Sequence, residues 1–184
     1  DENDIYNKSP FLHEKYLYLI KNHESYEYGF GFVHEAMWAG STYLSGKFPS
    51  SFNDFLKVII SADGEKIEGQ QHANAIGNHL GIWDFYYIKK NKFNVLKFYY
   101  QHFFEDTSGL RFQNSFDGLW GIEYEDLSTK FNFLLEYINT SNQDRDPPYV
   151  NDNYYNHSEY TLGWSYKGYV IGNPFIDNVN NNPS

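Results

Sequence analysis

The feature that most constrains this chain is a period-two alternation of large aromatic residues with small or acidic ones. From Tyr26 to Phe32 the even positions are all aromatic, whereas the odd positions from Glu27 to Val33 hold Glu, Gly, Gly and Val. Successive side chains of a β-strand point to opposite faces, so this spacing predicts a strand with one bulky aromatic face and one small, acidic face. A helix would scatter the two classes around its circumference, which excludes a helical interpretation of this segment.

The segment 80–104 predicts a β-hairpin of the same kind. A two-residue loop at Lys90-Asn91 places the acid Asp84 directly opposite the base Lys97 and sets apolar residues against apolar residues. The predicted aromatic face of this hairpin consists of Trp83, Phe85, Tyr87, Leu96, Phe98 and Tyr100.

A second hairpin is predicted over residues 119–139. A two-residue loop at Ser128-Thr129 brings the two apolar faces to the same side. Glu123 and Glu136 then share the polar face as diagonal neighbours, roughly 7 Å apart. The apolar face consists of Trp120, Ile122, Tyr124, Phe131, Phe133, Leu135 and Tyr137.

Short and long connections alternate along the chain. A further hairpin is predicted from residues 13–20 and 24–38, so the turns near 22, 90 and 128 are all very short. The connections rich in Gly, Asn, Asp and Ser are long, and they cover 39–79, 105–118 and 140–160. Short turns at one end and long loops at the other are typical of outer-membrane β-barrels, whose short turns are periplasmic and whose long loops are extracellular.

One short helix is expected inside the first long connection, near 51–60. Ser51 stands at the N-cap position with Asp54 three residues on, as in a capping box. The expected apolar stripe of the helix consists of Phe52, Phe55, Leu56, Ile59 and Ile60.

Composition excludes several classes of protein. Aromatic residues make up 21% of the chain although its mean hydropathy is only −0.66, so an intrinsically disordered chain is excluded. The formal net charge of −10 offers no basic footprint for nucleic acid. The chain has no Cys, and no run of 18 apolar residues that would make a transmembrane helix.

Two architectures are compatible with this alternation of apolar and polar residues. A soluble β-sandwich buries one face of each strand in its core, whereas a transmembrane barrel turns its apolar face to lipid. The bulk of the aromatic face and the loop asymmetry favour the barrel. We therefore expect an all-β fold of seven or eight antiparallel strands, which form a transmembrane β-barrel or a sector of one. The aromatic faces would contact lipid, and Asp84, Lys97, Glu123 and Glu136 would face the lumen.

Residues 1–176 are expected to form this single barrel domain or sector. Residues 177–184 are rich in Asn and are expected to be a polar, flexible tail.

The sequence offers few residues with the spacing that catalysis or metal binding requires. The seven histidines show no zinc-ligand spacing, and no nucleophile elbow, phosphate loop or dinucleotide fingerprint is present, so no metal and no cofactor are predicted. Glu123 and Glu136 could serve as the two carboxylates of a glycosidase, or simply line a water-filled lumen, and we favour the second.

Aromatic residues in the long loops are candidates for stacking on sugar rings. The same rings could instead pack the loops or form an interfacial aromatic belt. These candidates are Tyr149, Tyr154, Tyr155, Trp164 and Tyr166.

An ordered series of short motifs resembles one protein family. It starts with Val33-His34-Glu35-Ala36-Met37-Trp38-Ala39-Gly40, Gly77-Asn78-His79-Leu80-Gly81 and Tyr99-Tyr100-Gln101. It continues with Phe104-Glu105-Asp106-Thr107-Ser108-Gly109, Asp117-Gly118-Leu119-Trp120-Gly121 and Glu136-Tyr137. It ends with Tyr154-Tyr155-Asn156-His157, Gly163-Trp164-Ser165-Tyr166-Lys167-Gly168 and Ile171-Gly172-Asn173-Pro174-Phe175. Together these motifs look like the capsule assembly Wzi family in the form found in Bacteroidota, over about residues 12–176.

The resemblance implies a Gram-negative outer-membrane β-barrel that helps attach capsular polysaccharide and binds glycan rather than cleaving it. Its implied partners are outer-membrane lipid and surface polysaccharide. In the alternative of an accessory subunit of a transport or secretion complex, the partners are other outer-membrane proteins. No catalytic residues are carried over.

Two features depart from the family. Trp38-Ala39-Gly40 stands where the family usually has Trp-Gly-Gly. The chain is also much shorter than family barrels and begins at Asp1, so we expect it to be a portion of a longer protein.

Overall fold

The computed structural model describes residues 5–64, 75–105, 107–143, 153–167 and 169–172, and within them the chain is mostly β. Two helices are described, α1 (Phe52–Ile59) and α2 (Thr107–Leu110). The eleven strands of the described residues are β1 (Tyr6–Lys8), β2 (Phe11–Asn22), β3 (Tyr26–Trp38), β4 (Ser41–Thr42), β5 (Gly46–Lys47), β6 (Asn78–Lys90), β7 (Asn94–Phe104), β8 (Gly118–Asp126), β9 (Asn132–Asn139), β10 (Ser165–Tyr166) and β11 (Tyr169–Val170).

Six of these strands form the main sheet, in the order β2-β3-β6-β7-β8-β9. Strands β6 to β9 pair antiparallel with their chain neighbours, so this part of the sheet is a meander. Within the described residues the sheet is open, with β2 and β9 at its two edges. The described residues give this sheet six strands instead of the expected seven or eight, and within those residues the sheet does not close into a barrel.

Turn chemistry fixes the register of each hairpin. In the β8–β9 turn, Asp126 Oδ1 accepts hydrogen bonds from the backbone of Ser128 and Thr129, at 2.8 and 3.1 Å. Trp120 lies opposite Tyr137, which is the register predicted from a Ser128-Thr129 loop and is confirmed.

The predicted register of the β6–β7 hairpin is wrong by four residues. Asp84 lies opposite Gln101, and Lys97 lies opposite Ile88. The turn is longer than expected because Asn91 Oδ1 accepts hydrogen bonds from the backbone N–H groups of both Phe93 and Asn94. A shift of four is even, so every side chain keeps its predicted face although each cross-strand partner changes.

Helix α1 forms where the sequence predicts it. Asp54 N–H donates to Ser51 Oγ at 3.2 Å and Ser51 N–H donates to Asp54 Oδ2 at 2.8 Å, which completes the capping box. The expected apolar stripe needs correction, because the helix buries Val58 against Ala36 and Ile76. Three members of that stripe are exposed: Phe52, Leu56 and Ile60.

The chain divides into two compact units. The first unit comprises Asp1–Glu14, Glu35–His79 and Tyr155–Ser184, and it contains a small sheet of β1, β4 and β5, helix α1 and the β10–β11 hairpin. The second unit comprises Lys15–His34 and Leu80–Tyr154, and it contains β7, β8, β9 and most of β2, β3 and β6. The predicted tail at 177–184 lies outside the described residues.

Candidate functional site

One face of the main sheet in the second unit carries a layer of aromatic rings. Phe30 and Phe85 lie 5.2 Å apart between ring centroids, Phe85 and Tyr100 6.4 Å, and Tyr100 and Trp120 3.9 Å in a stacked pair. These rings line a shallow apolar groove of about 780 Å³. Every residue that the sequence predicts to face lipid is exposed or half-buried on the described surface.

The opposite face of the sheet repeats a tyrosine-over-glycine arrangement. Each glycine leaves room for a ring from the neighbouring strand, and a Cβ placed on Gly31 would lie only 2.3 Å from the Tyr18 ring. The three pairs are Tyr18 over Gly31, Tyr86 over Gly29 and Tyr99 over Gly121.

Each of these tyrosines donates its hydroxyl hydrogen to a carboxylate on the same face. Tyr18 donates to Asp84 at 3.0 Å, and Tyr99 donates to Glu136. The third pair, Tyr86 and Glu27, is 3.1 Å apart, and Glu27 also binds the Lys90 ammonium at 2.7 Å. The polar face therefore carries paired tyrosines and carboxylates rather than a set of isolated charges.

The structure places the predicted lumen residues on this polar face but changes their pairing. The predicted Asp84–Lys97 pair is wrong, because Asp84 is buried against Tyr18, and Lys97 lies 3.6 Å from Glu123 across the β7–β8 pair. Glu123 lies opposite Leu134 and Glu136 lies opposite Gly121, so the two acids are diagonal neighbours, as predicted. Glu123 contacts Lys97 and Glu136 contacts Tyr99, and both acids are exposed.

The long connections of the second unit are held by a buried polar cluster around Asp117. Its carboxylate accepts hydrogen bonds from Asn142 N and Nδ2 at 3.1 and 2.9 Å, from Gln143 N at 2.7 Å and from the Tyr154 hydroxyl at 2.8 Å. Asn114 Nδ2 donates to Tyr154 Oη and to the Phe103 carbonyl, both at 2.7 Å. The connection that follows β7 and the connection that follows β9 thus meet at one carboxylate.

The predicted sugar-stacking aromatics have different positions. Tyr154, Tyr155 and Trp164 are buried, Tyr166 is 57% exposed, and Tyr149 lies outside the described residues. A buried ring offers no free face to a sugar, so the expectation that Tyr154, Tyr155 and Trp164 stack on glycan is corrected. These three rings support the loops instead, and Tyr154 packs edge-on against Phe103 at 6.1 Å.

Sequence reasoning missed Asp117 as an organising residue. The available signal was its position at the start of the motif Asp117-Gly118-Leu119-Trp120-Gly121, immediately before a strand. Gly118 has a φ of +148°, and a Cβ there would lie 2.2 Å from the Gln101 carbonyl oxygen. The chain can therefore turn from the buried cluster into β8 only with glycine at this position.

The first unit has its own ordered loop around His157. His157 Nδ1 accepts hydrogen bonds from the backbone of Glu159 and Tyr160, at 3.1 and 3.3 Å, so this nitrogen carries no proton. Burial, together with the nearby His79, lowers the pKa of His157 to about 4. The Tyr160 ring packs on Phe48 at 4.9 Å, and burial raises the pKa of the Tyr160 hydroxyl well above its usual value.

No group of three or more His, Asp or Glu side chains in the described ranges lies in an arrangement that could hold a metal ion. None of the helices in those ranges has the length and apolar character needed to cross a membrane.

Comparison with known proteins supports one family. A family model described as capsule assembly protein Wzi matches residues 6–180, which is nearly the whole chain and includes the motif series quoted above. No curated protein and no solved structure matches.

Proposed function

Because the chain belongs to the capsule assembly protein Wzi family, we propose that it forms part of an outer-membrane β-barrel and holds capsular or other surface polysaccharide without cleaving it. The observation that carries this proposal is the two-faced main sheet. One face is an exposed aromatic layer and the other is a layer of hydrogen-bonded tyrosines and carboxylates.

The aromatic layer supports contact with lipid. Its members include Phe98, Trp120, Leu135 and Tyr137, and all four are exposed in the described structure. Burying a large apolar side chain is worth about 1.5–3 kcal/mol, and an apolar patch of this size on a protein marks an interaction surface. A lipid-facing band of a barrel provides that burial for the whole layer at once.

The polar face supports a hydrated lumen. Tyrosine hydroxyls satisfy Asp84 and Glu136, and ammonium groups satisfy Glu27 and Glu123, so each of these four carboxylates has a partner. The long connections, organised in the second unit by Asp117, would form the surface that contacts polysaccharide outside the cell.

A binding role fits the two acids better than a catalytic one. A glycosidase needs one carboxylate free to act as acid and one free to act as nucleophile or base. Glu123 and Glu136 are instead exposed on the polar face, each in contact with its own neighbour.

Two measurements test the proposal. Envelope fractionation should recover the protein in the outer membrane, extractable only with detergent, and the folded band should shift on boiling. Cells lacking the protein should shed polysaccharide that cells carrying it retain. Recovery in a soluble fraction without a band shift would contradict the barrel.

The acid pair has its own test, which separates binding from catalysis. The variant E123Q/E136Q should retain surface polysaccharide at the wild-type level, because neither carboxylate performs chemistry. Turnover of isolated polysaccharide by the wild-type protein, lost in this variant, would instead show a glycosidase.

A second candidate is an accessory subunit of a larger outer-membrane complex. The exposed edge strands β2 and β9 favour it, since an unpaired edge offers backbone N–H and C=O groups to another strand. Co-purification of one fixed membrane partner in stoichiometric amount would support this candidate over independent glycan retention.

A further inference from the structure

The first unit contains a small polar cleft apart from the main sheet. It has a volume of about 320 Å³ and is lined by Asn7, Lys8, Gly40, Ser41, Thr42, Gly46, Lys47 and Ser50. Ligand pockets for small molecules start at about 300 Å³, so the cleft is large enough for a sugar unit.

Strand pairing brings two lysines to the same side of this cleft. Lys8 of β1 pairs with Ser41 of β4, and Ser41 pairs with Lys47 of β5. Directly opposed residues share a face, and neighbouring strands lie about 4.8 Å apart, so the two lysine backbones flank Ser41 at a separation of ~9.5 Å. The result is a row of ammonium, hydroxyl and ammonium across three strands.

The charge of this cleft is unusual for the chain. The chain carries 24 acidic against 14 basic residues, yet none of the eight lining residues is acidic. Lys90 and Lys97 of the main sheet are paired with carboxylates, whereas neither Lys8 nor Lys47 forms an ion pair within the described part of the chain. The Lys8 ammonium lies 5.5 Å from the centroid of the Phe11 ring, and neither lysine has a carboxylate partner among the described residues, so both charges can bind an external anion.

The rest of the lining suits a polyhydroxylated ligand. Thr42 Oγ1 accepts a hydrogen bond from Ser45 N at 2.9 Å, which leaves its hydroxyl hydrogen free to donate. Ser41, Ser50 and Asn7 add further side-chain donors and acceptors. A simple anion can only accept hydrogen bonds from these groups, whereas the hydroxyls of a sugar acid can also donate to the oxygens of Ser41, Ser50 and Asn7.

We propose that this Lys8–Ser41–Lys47 cleft binds a carboxylate-bearing segment of an acidic polysaccharide. The inference rests on the proposed glycan-holding function and adds to it the chemical class of the glycan. Two lysines whose backbones lie about 9.5 Å apart on one sheet suit a ligand that presents more than one carboxylate along an extended chain. Local charge of this kind allows a polyanion to bind a protein whose overall charge is strongly negative.

The test measures binding of a short oligogalacturonate to the detergent-purified full chain by calorimetry. The K8Q/K47Q variant should bind at least ~10-fold more weakly, which corresponds to about 1.4 kcal/mol. The K8R/K47R variant should retain binding because it keeps both charges. The matched control K89Q/K92Q removes the same charge near the β6–β7 turn and should leave the affinity unchanged. Wild-type affinity should fall with added NaCl more steeply than that of K8Q/K47Q.

Three results would overturn the inference. Unchanged oligogalacturonate binding by K8Q/K47Q would show that the cleft is not the site. Equal weakening in K89Q/K92Q would show only a general charge effect. Competition by inorganic phosphate at the same concentration as oligogalacturonate would show a plain anion site with no preference for a sugar acid.

The test also separates this inference from the function on which it rests. Cells whose K8Q/K47Q protein retains polysaccharide as well as the wild type would overturn the cleft assignment and leave the glycan-holding role intact. A wild-type protein that retains no polysaccharide and binds no oligogalacturonate would overturn both.

Discussion

Asp117 is the residue on which the long connections of the second unit depend. It is fully buried, and each of its oxygens accepts two hydrogen bonds: one oxygen binds the backbone and side chain of Asn142, and the other binds Gln143 N and the Tyr154 hydroxyl. Four donors around one carboxylate leave no lone pair directed at a ligand. The acid is therefore structural, and its role is to hold the ends of separate loops together.

Asp117→Asn should destabilise the second unit by about 2–3 kcal/mol. An amide can present its oxygen to only two of the four donors, and its NH₂ group would face the other two, so buried donors lose their partners. Chemical unfolding in detergent would measure the change. Asp126→Asn, in the exposed β8–β9 turn, is the control and should cost less than Asp117→Asn, because Asn accepts the same turn hydrogen bonds. Equal losses in the two variants would argue against a special role for Asp117.

His157 makes the first unit sensitive to mild acid. Its folded-state pKa of about 4 lies below the unfolded value of about 6.5, so the unfolded chain binds the proton more readily between these two values. Stability contributed by the neutral ring is complete above pH 6.5 and is lost as the pH falls from 6.5 towards 4. We expect a loss of about 1–3 kcal/mol at pH 4, detected as faster proteolysis of residues 153–167.

A substitution isolates this pH dependence. His157→Gln keeps an acceptor for the Glu159 and Tyr160 N–H groups but does not titrate, so its proteolysis rate should change less with pH than that of the wild type. His23→Gln, in the exposed β2–β3 turn, should keep the wild-type profile. An unchanged profile in His157→Gln would assign the acid sensitivity to another group.

At the scale of the element, the main sheet depends on its tyrosine-over-glycine pairs. Tyr99 of β7 lies directly opposite Gly121 of β8 and reaches across it to Glu136 of β9, so one ring ties three strands together. Glycine usually weakens a strand, but here it makes room for an aromatic ring that covers the exposed backbone. The small residues of the alternating pattern are therefore part of the packing on the polar face.

Gly121→Val should displace the Tyr99 ring and cost about 1–3 kcal/mol by overpacking. Tyr99→Phe keeps the ring over the glycine and removes only the hydroxyl, so it should cost less, about 0.5–1.5 kcal/mol. The yield of the heat-shiftable folded band would rank the two variants. Leu134→Val, on the same face of the exposed edge strand β9, is the control, and a Gly121→Val yield equal to that of Leu134→Val would contradict the pairing argument.

These elements also show what the sequence could and could not predict. Alternation assigned the faces of β6 to β9 correctly because face depends only on whether a position is odd or even. It could not fix the β6–β7 register, since a shift of four preserves every face and only the Asn91 turn decides between registers. In helix α1 periodicity included Phe52, which is exposed, in the apolar stripe and left out Val58, which is buried, because the spacing does not show which side of the helix meets Ala36 and Ile76.

The candidate site was less predictable than the fold. Tyr154 and Trp164 look like surface aromatics because they lie in polar, loop-rich segments, but the loops fold back on these rings and bury them. The Lys8–Ser41–Lys47 row depends on the pairing of three very short strands, which leave no periodic signal in the sequence. Both failures concern contacts between residues far apart in the chain.

At the scale of the whole molecule, the question is what covers the aromatic layer. Phe98 lies on β7, within the main sheet, on the aromatic face, and Gln101 lies on the opposite face next to Asp84. If the layer faces lipid, a charge at Phe98 must enter the hydrocarbon region, at a cost of about 2–4 kcal/mol near its midplane. A charge at Gln101 would instead stay in the hydrated lumen.

Phe98→Lys should therefore lower the fraction of heat-shiftable protein recovered in the outer membrane severalfold, whereas Gln101→Lys should leave it near the wild-type level. Both substitutions add the same charge to the same strand. The difference between the two recovered fractions therefore reports the environment of each face, and not net charge or strand propensity. If the aromatic layer faced water, Phe98→Lys would insert as well as the wild type. If the sheet were part of a soluble protein, the wild type itself would stay in solution without detergent.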